Sequence, residues 1–501
     1  MKITASHLYN YDACPHRVWR DAHDNPALRD EPNEFVQLLW EKGTQYEKEV
    51  LEKMEGDQPA LDLSTVPKEE RAQATLDAMN RKEPLIYHGR LEVGELLGEP
   101  DLLELQPTGE YMPVDIKSGM GLEGGDDFTE GKPKRHYALQ LALYTDALRQ
   151  MGFATHYHGK IFDSTGKVVL YELDKPKSKT AKVTWWEEYE DVLMTARNIL
   201  LKKIQTKPAL GSVCKMCVWY SNCKKTCIDG DYLSLIPELG RAKQDALEGL
   251  AATVHELAAL DPEDHIDSRG RVDLPGIGES TLRKLHQRAE LLSSGSKDML
   301  VTTPYTLPER DIELYFDIET DPTQNIVYLH GVVERRNGDS KNTKFHSFLA
   351  KGVSNAEERE AFQAFWDYIR SLGGDFAVYY YSKYERTQFR NLREKFPGIV
   401  DEDELEHFFD NDASIDLYEL VKKHTEWPTY NYSVKTLAQH LGFNWHDVNP
   451  SGAASIQWFN EWCKDQSVEK MQRILDYNED DCIAMMVLKD ELARHCITST
   501  S

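Results

Sequence analysis

Residues 98–119 read GEPDLLELQPTGEYMPVDIKSG. YMPVDIKSG reads as a strand, and LIYHGRLEVGELLGEPDLLEL before it as strands separated by turns. Residues two apart on a strand share a face, which sets the carboxylate of Asp115 beside the ammonium of Lys117. Asp101, at the end of a turn, brings a second carboxylate from the adjacent strand. Two carboxylates can hold a hard divalent cation such as Mg²⁺, while the lysine steadies the attacking water and the negative charge developing on a phosphate. In HYALQLALYTDALRQMG downstream, Leu139, Leu143 and Leu148 recur at helical spacing, and Gln140 and Tyr144 share one face. A D-x-K pair alone is far more often an exposed ion pair than a catalytic group, so the ordered series carries the argument.

Outward from this stretch, DIELYFDIETD at 311–321 opens a second strand-rich unit and places Asp317 and Glu319 on one face. In DYNEDDC, Tyr477 precedes Asp481 by one helical turn. Between them, YYYSKYERTQF contributes Glu385. Four acidic side chains from separate elements suit two-metal phosphodiester cleavage. Asp416 in ASIDLYEL is an alternative to Glu385, although it reads better as a structural residue at a strand end. The last unit ends in the helix ILDYNEDDCIAMMVLKDELA and is therefore mixed α/β.

The 501 residues exceed one ordinary core, and punctuation divides them into 1–228, a helical linker at 229–304, and 305–501. A net charge of −26 argues against a uniformly basic nucleic-acid-binding surface. It leaves room for local basic runs at 131–136, 174–182 and 201–207, each of which reads more simply as a solvated face. No apolar run spans a bilayer, and MKITASHLYNYDACPHRVW lacks the apolar stretch of a signal peptide, so a cytoplasmic protein without membrane partners is expected. Eight cysteines, four of them at 214, 217, 223 and 227, read as metal ligation in a reducing compartment. Local zinc held by those four is one reading of the cluster. In the linker, LPGIGESTLRKLHQRA has the h-x-G-h-G turn of a helix-hairpin-helix motif, with Gly276 and Gly278 able to admit a DNA phosphate to the helix N-terminus. A plain helical spacer explains it equally well. LIPELGRAKQDAL upstream reads as a decayed copy with Glu238 at the first glycine position.

The series G-x-x-D, D-x-K and Q-x-x-x-Y resembles the PD-(D/E)xK nuclease superfamily, in particular its RecB-like branch, across residues 1–228. The resemblance implies a restriction-endonuclease-like α/β core, metal binding by Asp101 and Asp115, catalysis by Lys117, and substrate contact or support of the site by Gln140 and Tyr144. Many members place a metal-binding histidine on an early helix after a glycine. Here KGTQYEKEV offers Tyr46 and Glu47 instead, which leaves the third ligand open. Cluster-bearing members pair one early cysteine with three after the core, which implies a 4Fe-4S cluster on Cys14, Cys214, Cys217 and Cys223, with Cys227 as a substitute for Cys223. Residues 311–497 resemble the tyrosine subtype of the DEDD exonucleases on an RNase H-like fold, in the YprB-like branch, which also matches at YSKYE and YSVKTLAQHLGF. That resemblance implies metal binding by Asp317, Glu319, Glu385 and Asp481, with Tyr477 orienting the attacking water.

The expectation is an α/β multidomain protein, a dual nuclease using Mg²⁺ or Mn²⁺ on DNA ends or single strands in defence, repair or recombination. With no Walker motif in the chain, a separate helicase or defence-system subunit is the expected partner. A ribonuclease, or a nucleic-acid-binding adaptor with one vestigial site, are the competing readings.

Overall fold

The computed structural model describes residues 1–32, 34–54, 59–124, 131–178, 181–448 and 451–497. The chain divides into two compact units, the first comprising Met1–Pro32, Val36–Pro208 and Val213–Asn222 and the second chiefly Cys223–Ser501. The helical stretch after residue 228 therefore lies in the second unit.

The first unit is built on a six-stranded mixed sheet. Its order is Val168–Glu172, His158–Phe162, Tyr111–Ile116, Leu102–Leu105, Leu85–Tyr87, Leu61–Asp62. Tyr111–Ile116 is buried at every residue, as its run of apolar side chains requires of an inner strand covered on both faces. It pairs antiparallel with Leu102–Leu105 and parallel with His158–Phe162. A parallel neighbour needs a crossover, and the helix Arg135–Gln150 supplies it. Its Leu139, Leu143 and Leu148 are fully buried in one core with Leu8, Ile161 and Tyr189. The helix Trp185–Leu200 closes that core, its start fixed by the reciprocal Thr184 and Glu187 capping box.

The second unit contains a five-stranded sheet in which the chain-order strands run third, second, first, fourth, fifth: Thr343–Leu349, Ile326–Arg336, Ile312–Asp321, Ala377–Tyr380, Ser414–Asp416. The first three pair antiparallel, and the last two join in parallel. Strand alternation sorts the faces. Leu314, Phe316 and Ile318 pack against Phe362, Phe365 and Trp366, three side chains of the helix Asn355–Ser371. Tyr315 and Val333 on the other face meet Cys482, Met485 and Leu488 of the 26-residue helix Val468–Ala493. Asp317 and Glu319 share that second face, so the sheet points them at the helix carrying Tyr477 and Asp481. Before the sheet, short helices including Gly240–Leu247 and Glu279–Ser293 enclose a separate apolar cluster around Leu247, Leu257 and Leu285.

Candidate active sites

In the first unit, strand pairing brings the carboxylates together. Leu102 lies opposite Val114, so Asp101 and Asp115 end adjacent strands at the same level. The backbone N–H of Asp101 donates to Asp115 Oδ1 at 3.4 Å, and the N–H of Ile116 donates to Asp101 Oδ2 at 2.6 Å. Lys117 Nζ is 2.9 Å from Asp115 Oδ2, and Asp115 is almost wholly buried. Burial first, and then the charge of Asp115, push the Asp101 carboxyl up to about 7. The Lys117 pKa is raised as well, which keeps the ammonium charged: burial would lower it, but Asp115 and Asp101 together outweigh that desolvation. A buried and a half-buried carboxylate side by side, with one ammonium beside them, fit a divalent cation.

Gln140 and Tyr144 are brought to each other, with Gln140 Nε2 donating to the Tyr144 hydroxyl at 3.1 Å. That hydroxyl in turn donates to Glu99 O at 3.4 Å, just before Asp101. The glycine of G-x-x-D has a packing cause: a Cβ on Gly98 would stand 2.6 Å from the Tyr144 ring. Two residues join the site beyond those expected to bind metal. Glu47, His88 and Asp101 each offer one ligand atom within 4.8 Å of the other two. Glu47 is one of the two residues, with Tyr46, that the sequence offers in place of a histidine, whereas His88 in YHGR carries no recognised motif.

In the second unit, Asp317, Glu319 and Asp481 each offer a carboxylate oxygen within 4.8 Å of one another. Burial, and after it the charge of Asp481, raises Asp317 well above the usual carboxylate range and Glu319 to about 8. Glu385, buried in the first turn of the helix Tyr384–Lys395, has an oxygen with no hydrogen-bond partner, and burial pushes it up to about 8. Its charge also raises Asp317, while the charge that raises Glu385 itself is that of Asp416, and the Glu385 oxygens lie outside the group of three within 4.8 Å. A buried, partnerless carboxylate oxygen is costly unless a cation completes it. The alternative, Asp416, uses one oxygen to cap the helix Leu417–His424: its Oδ1 accepts from Tyr418 N, Glu419 N and Ser382 N, while its Oδ2 is buried without a hydrogen-bond partner, as in Glu385.

The neighbours of these acids were not picked out from the sequence. Asn478 Nδ2 donates to Asp317 Oδ2 at 2.8 Å, the Trp445 indole N–H to Asp481 Oδ1 at 2.7 Å, and the Tyr328 hydroxyl to Glu319 Oε2 at 3.3 Å. Lys435 Nζ donates to the Tyr477 hydroxyl at 2.7 Å, and its charge lowers Asp317, Glu319 and Asp481 against the burial that raises them. Lys435 lies within YSVKTLAQHLGF, a matched stretch whose chemistry the sequence left blank.

Cys14 separates the helices Ala5–Ala13 and Pro15–His23, and Cys217 N donates to Cys214 O at 3.0 Å in a tight turn. The segment after Cys217 is tied to the N-terminal helices: Trp219 Nε1 donates to Asp21 Oδ1 at 2.9 Å, and Asp30 N to Val218 O at 2.6 Å. Burial raises the Cys217 thiol, and the proximity of Cys14 adds to this. Cys227 is fully buried in the apolar cluster with Leu233 and Leu257. Gly276 and Gly278 flank the turn before Glu279–Ser293, and nothing lies within 4 Å of where a Cβ on either would stand. Among the described residues, no helix is long and apolar enough to cross a membrane.

Comparison with known proteins finds a nuclease-superfamily match around each site. A family model described as the PD-(D/E)XK nuclease superfamily matches residues 3–224, and one described as the RNase_H superfamily matches residues 314–493. No curated protein matches the chain. The first match covers Asp101, Asp115 and Lys117, and the second covers Asp317, Glu319, Glu385, Tyr477 and Asp481. The chain thus carries a PD-(D/E)XK nuclease superfamily domain followed by an RNase H superfamily domain, and is a metal-dependent nuclease.

Proposed function

We propose that the protein is a dual DNA nuclease, acting on ends or single strands through two separate metal-dependent sites. The carrying observation is that each unit gathers its own buried or half-buried carboxylate cluster with one ammonium beside it, Lys117 in the first and Lys435 in the second. Asp101 and Asp115 would hold the cation of the first site, and Asp317, Glu319, Glu385 and Asp481 those of the second. Mg²⁺ or Mn²⁺ there would acidify water and offset charge on the scissile phosphate.

The chain's own groups do the rest. Lys117 places a fixed positive charge where the phosphate gains negative charge. Gln140 and Tyr144 brace the turn that presents Asp101. The Tyr477 hydroxyl orients the attacking water in the second site, and Lys435 fixes that hydroxyl by donating to it. The exonuclease reading rests on the DEDD-type set of acids, and DNA as substrate is supported by the hairpin turn at Gly276 and Gly278.

The same reading gives Cys14, Cys214, Cys217 and Cys223 a 4Fe-4S cluster. It is supported by the early-plus-late cysteine spacing, and the burial of Cys227 in an apolar cluster favours Cys223 as the fourth thiolate. Anaerobic purification with iron, sulfide and zinc analysis tests it: Cys14→Ser should lose iron and colour. A colourless zinc protein unaffected by that change contradicts it.

The nuclease reading is tested with end-labelled single-stranded and duplex DNA and matched RNA, in Mg²⁺ and in Mn²⁺. Asp115→Ala or Lys117→Ala should remove one activity, and Asp317→Ala or Asp481→Ala the other, each by on the order of a hundredfold or more. If either single-site variant loses all cleavage of every substrate, the sites are not independent. Preferential cleavage of RNA would replace DNA as the substrate.

A further inference from the structure

The helix Glu34–Met54 offers Tyr46 and Glu47 after Gly43, where the RecB-like resemblance expects a histidine. An imidazole nevertheless stands beside it, from a different element. His88 Nε2 is 2.8 Å from Glu47 Oε1, and both residues reach Asp101 within 4.8 Å. The backbone fixes that position, since His88 N donates to Asp101 O at 2.9 Å. His88 also has φ +54, in the left-handed region that histidine, asparagine and aspartate adopt more readily than other residues with side chains. The Tyr87 ring stacks on the imidazole at 4.0 Å, and the Tyr87 side chain hydrogen-bonds Glu47.

The geometry points to His88 as the nitrogen ligand of the first metal site, with Glu47 and Asp101 supplying oxygen. The imidazole that the helix lacks is restored from the turn after the strand Leu85–Tyr87. This rests on the first site being a metal site, as proposed above, and adds a specificity to it. Imidazole binds divalent transition ions, whose affinities rise from Mn²⁺ upward, better than it binds Mg²⁺, which favours oxygen and retained water. The first site is therefore selective for Mn²⁺ over Mg²⁺, in contrast to the all-carboxylate second site.

The test uses the full chain with the second site silenced by Asp317→Asn and Asp481→Asn, and Mn²⁺ alone as probe. Pulsed electron paramagnetic resonance should detect nitrogen coupling to the bound Mn²⁺. His88→Asn, chosen because asparagine tolerates the left-handed backbone, should abolish that coupling and weaken Mn²⁺ binding by on the order of tenfold or more, with a smaller effect on Mg²⁺. Bound Mn²⁺ without nitrogen coupling, unaffected by His88→Asn but lost in Asp101→Asn, would reduce His88 to a plain ion-pair partner of Glu47 and overturn the inference. Mn²⁺ binding unchanged in Asp101→Asn as well would overturn the first-site reading itself.

Discussion

Asn478 donates to Asp317 Oδ2 at 2.8 Å, and its own carbonyl oxygen lies 1.5 Å from where a Cβ on Gly331 would stand. Gly331 faces Asp317 across the ladder, so one missing side chain makes room for the residue that orients a carboxylate. Gly331→Ala should push Asn478 aside and let Asp317 turn. A misplacement on the scale of an ångström costs on the order of a hundredfold in turnover. Overpacking should also cost about 1–3 kcal/mol in stability. Cleavage by the second site and thermal melting check both, and unchanged second-site activity would mean that Asn478 does not position Asp317.

Lys435 gives the second prediction. Its Nζ lies 2.7 Å from the Tyr477 hydroxyl and 4.4 Å from the centre of that ring. Lys435→Met keeps the length of the side chain but removes both charge and donor. Second-site kcat should fall by on the order of a hundredfold with KM little changed, since removing one fixed donor from a reacting site has effects of that size. Lys435→Arg should recover part of the loss. A Met variant as active as the parent would show that Tyr477 needs no fixing.

Much of this was legible in the chain, and the reason is geometric. Strand alternation puts Asp317 with Glu319 and Asp115 with Lys117, and helical periodicity puts Tyr477 with Asp481 and Gln140 with Tyr144, so any group set by local spacing could be found. His88 and Lys435 were not picked out because no local period relates them to their partners. His88 reaches Glu47 across 41 residues and Lys435 reaches Tyr477 across 42, through tertiary packing alone. Trp445 meets Asp481 in the same way. Gly331 looked like any strand glycine, because its cause is a side chain on a distant helix. The sheet order was legible only through the family resemblance, since alternation fixes faces and not neighbours.

His330 predicts acid sensitivity of the second unit. The ring is fully buried against Phe362, Phe365 and Phe389, and neither nitrogen has a hydrogen-bond partner. Desolvation lowers its pKa from 6.5 to about 3. The unfolded chain therefore binds a proton that the folded chain refuses. The stability of the neutral ring is complete above pH 6.5 and is lost as pH falls from there towards 3. Between pH 7 and pH 5 the loss from this group is about 2 kcal/mol. Buried carboxylates such as Glu319 and Glu385 shift in the opposite sense, so the informative quantity is the difference between parent and His330→Leu in urea unfolding at the two pH values. The Leu variant should lose less stability on acidification, and parallel losses would refute the assignment.

The two hairpin turns supply the last prediction. Leu239 N donates to Ile236 O and Ile277 N to Leu274 O, both at 3.2 Å, and Glu238 and Gly276 have φ +61 and +72. With proline before each positive-φ residue, both fit type II turns, so the copy that reads as decayed keeps its backbone. Its side chain has been put to other use: the Glu238 carboxylate takes Lys422 at 2.9 Å and the buried Arg288 at 3.1 Å, and Arg288 also donates to Glu426. Only the second turn is free to receive a phosphate. There the two glycines differ. Gly276 needs its positive φ, so replacing it strains the turn whether or not DNA binds. Gly278 has an ordinary φ of −94° and nothing within 4 Å of a Cβ, so the fold alone does not require glycine. Gly278→Ala should leave thermal stability unchanged, yet weaken DNA binding and make it less salt-dependent if a phosphate approaches the N–H groups of Glu279–Ser293. Glu279 sets the size of the effect, because its carboxylate in the first turn opposes an incoming phosphate, and Glu279→Gln should tighten binding. Filter binding across a salt series decides the matter: equal affinity for parent and Gly278→Ala would make the second turn, like the first, a structural connection.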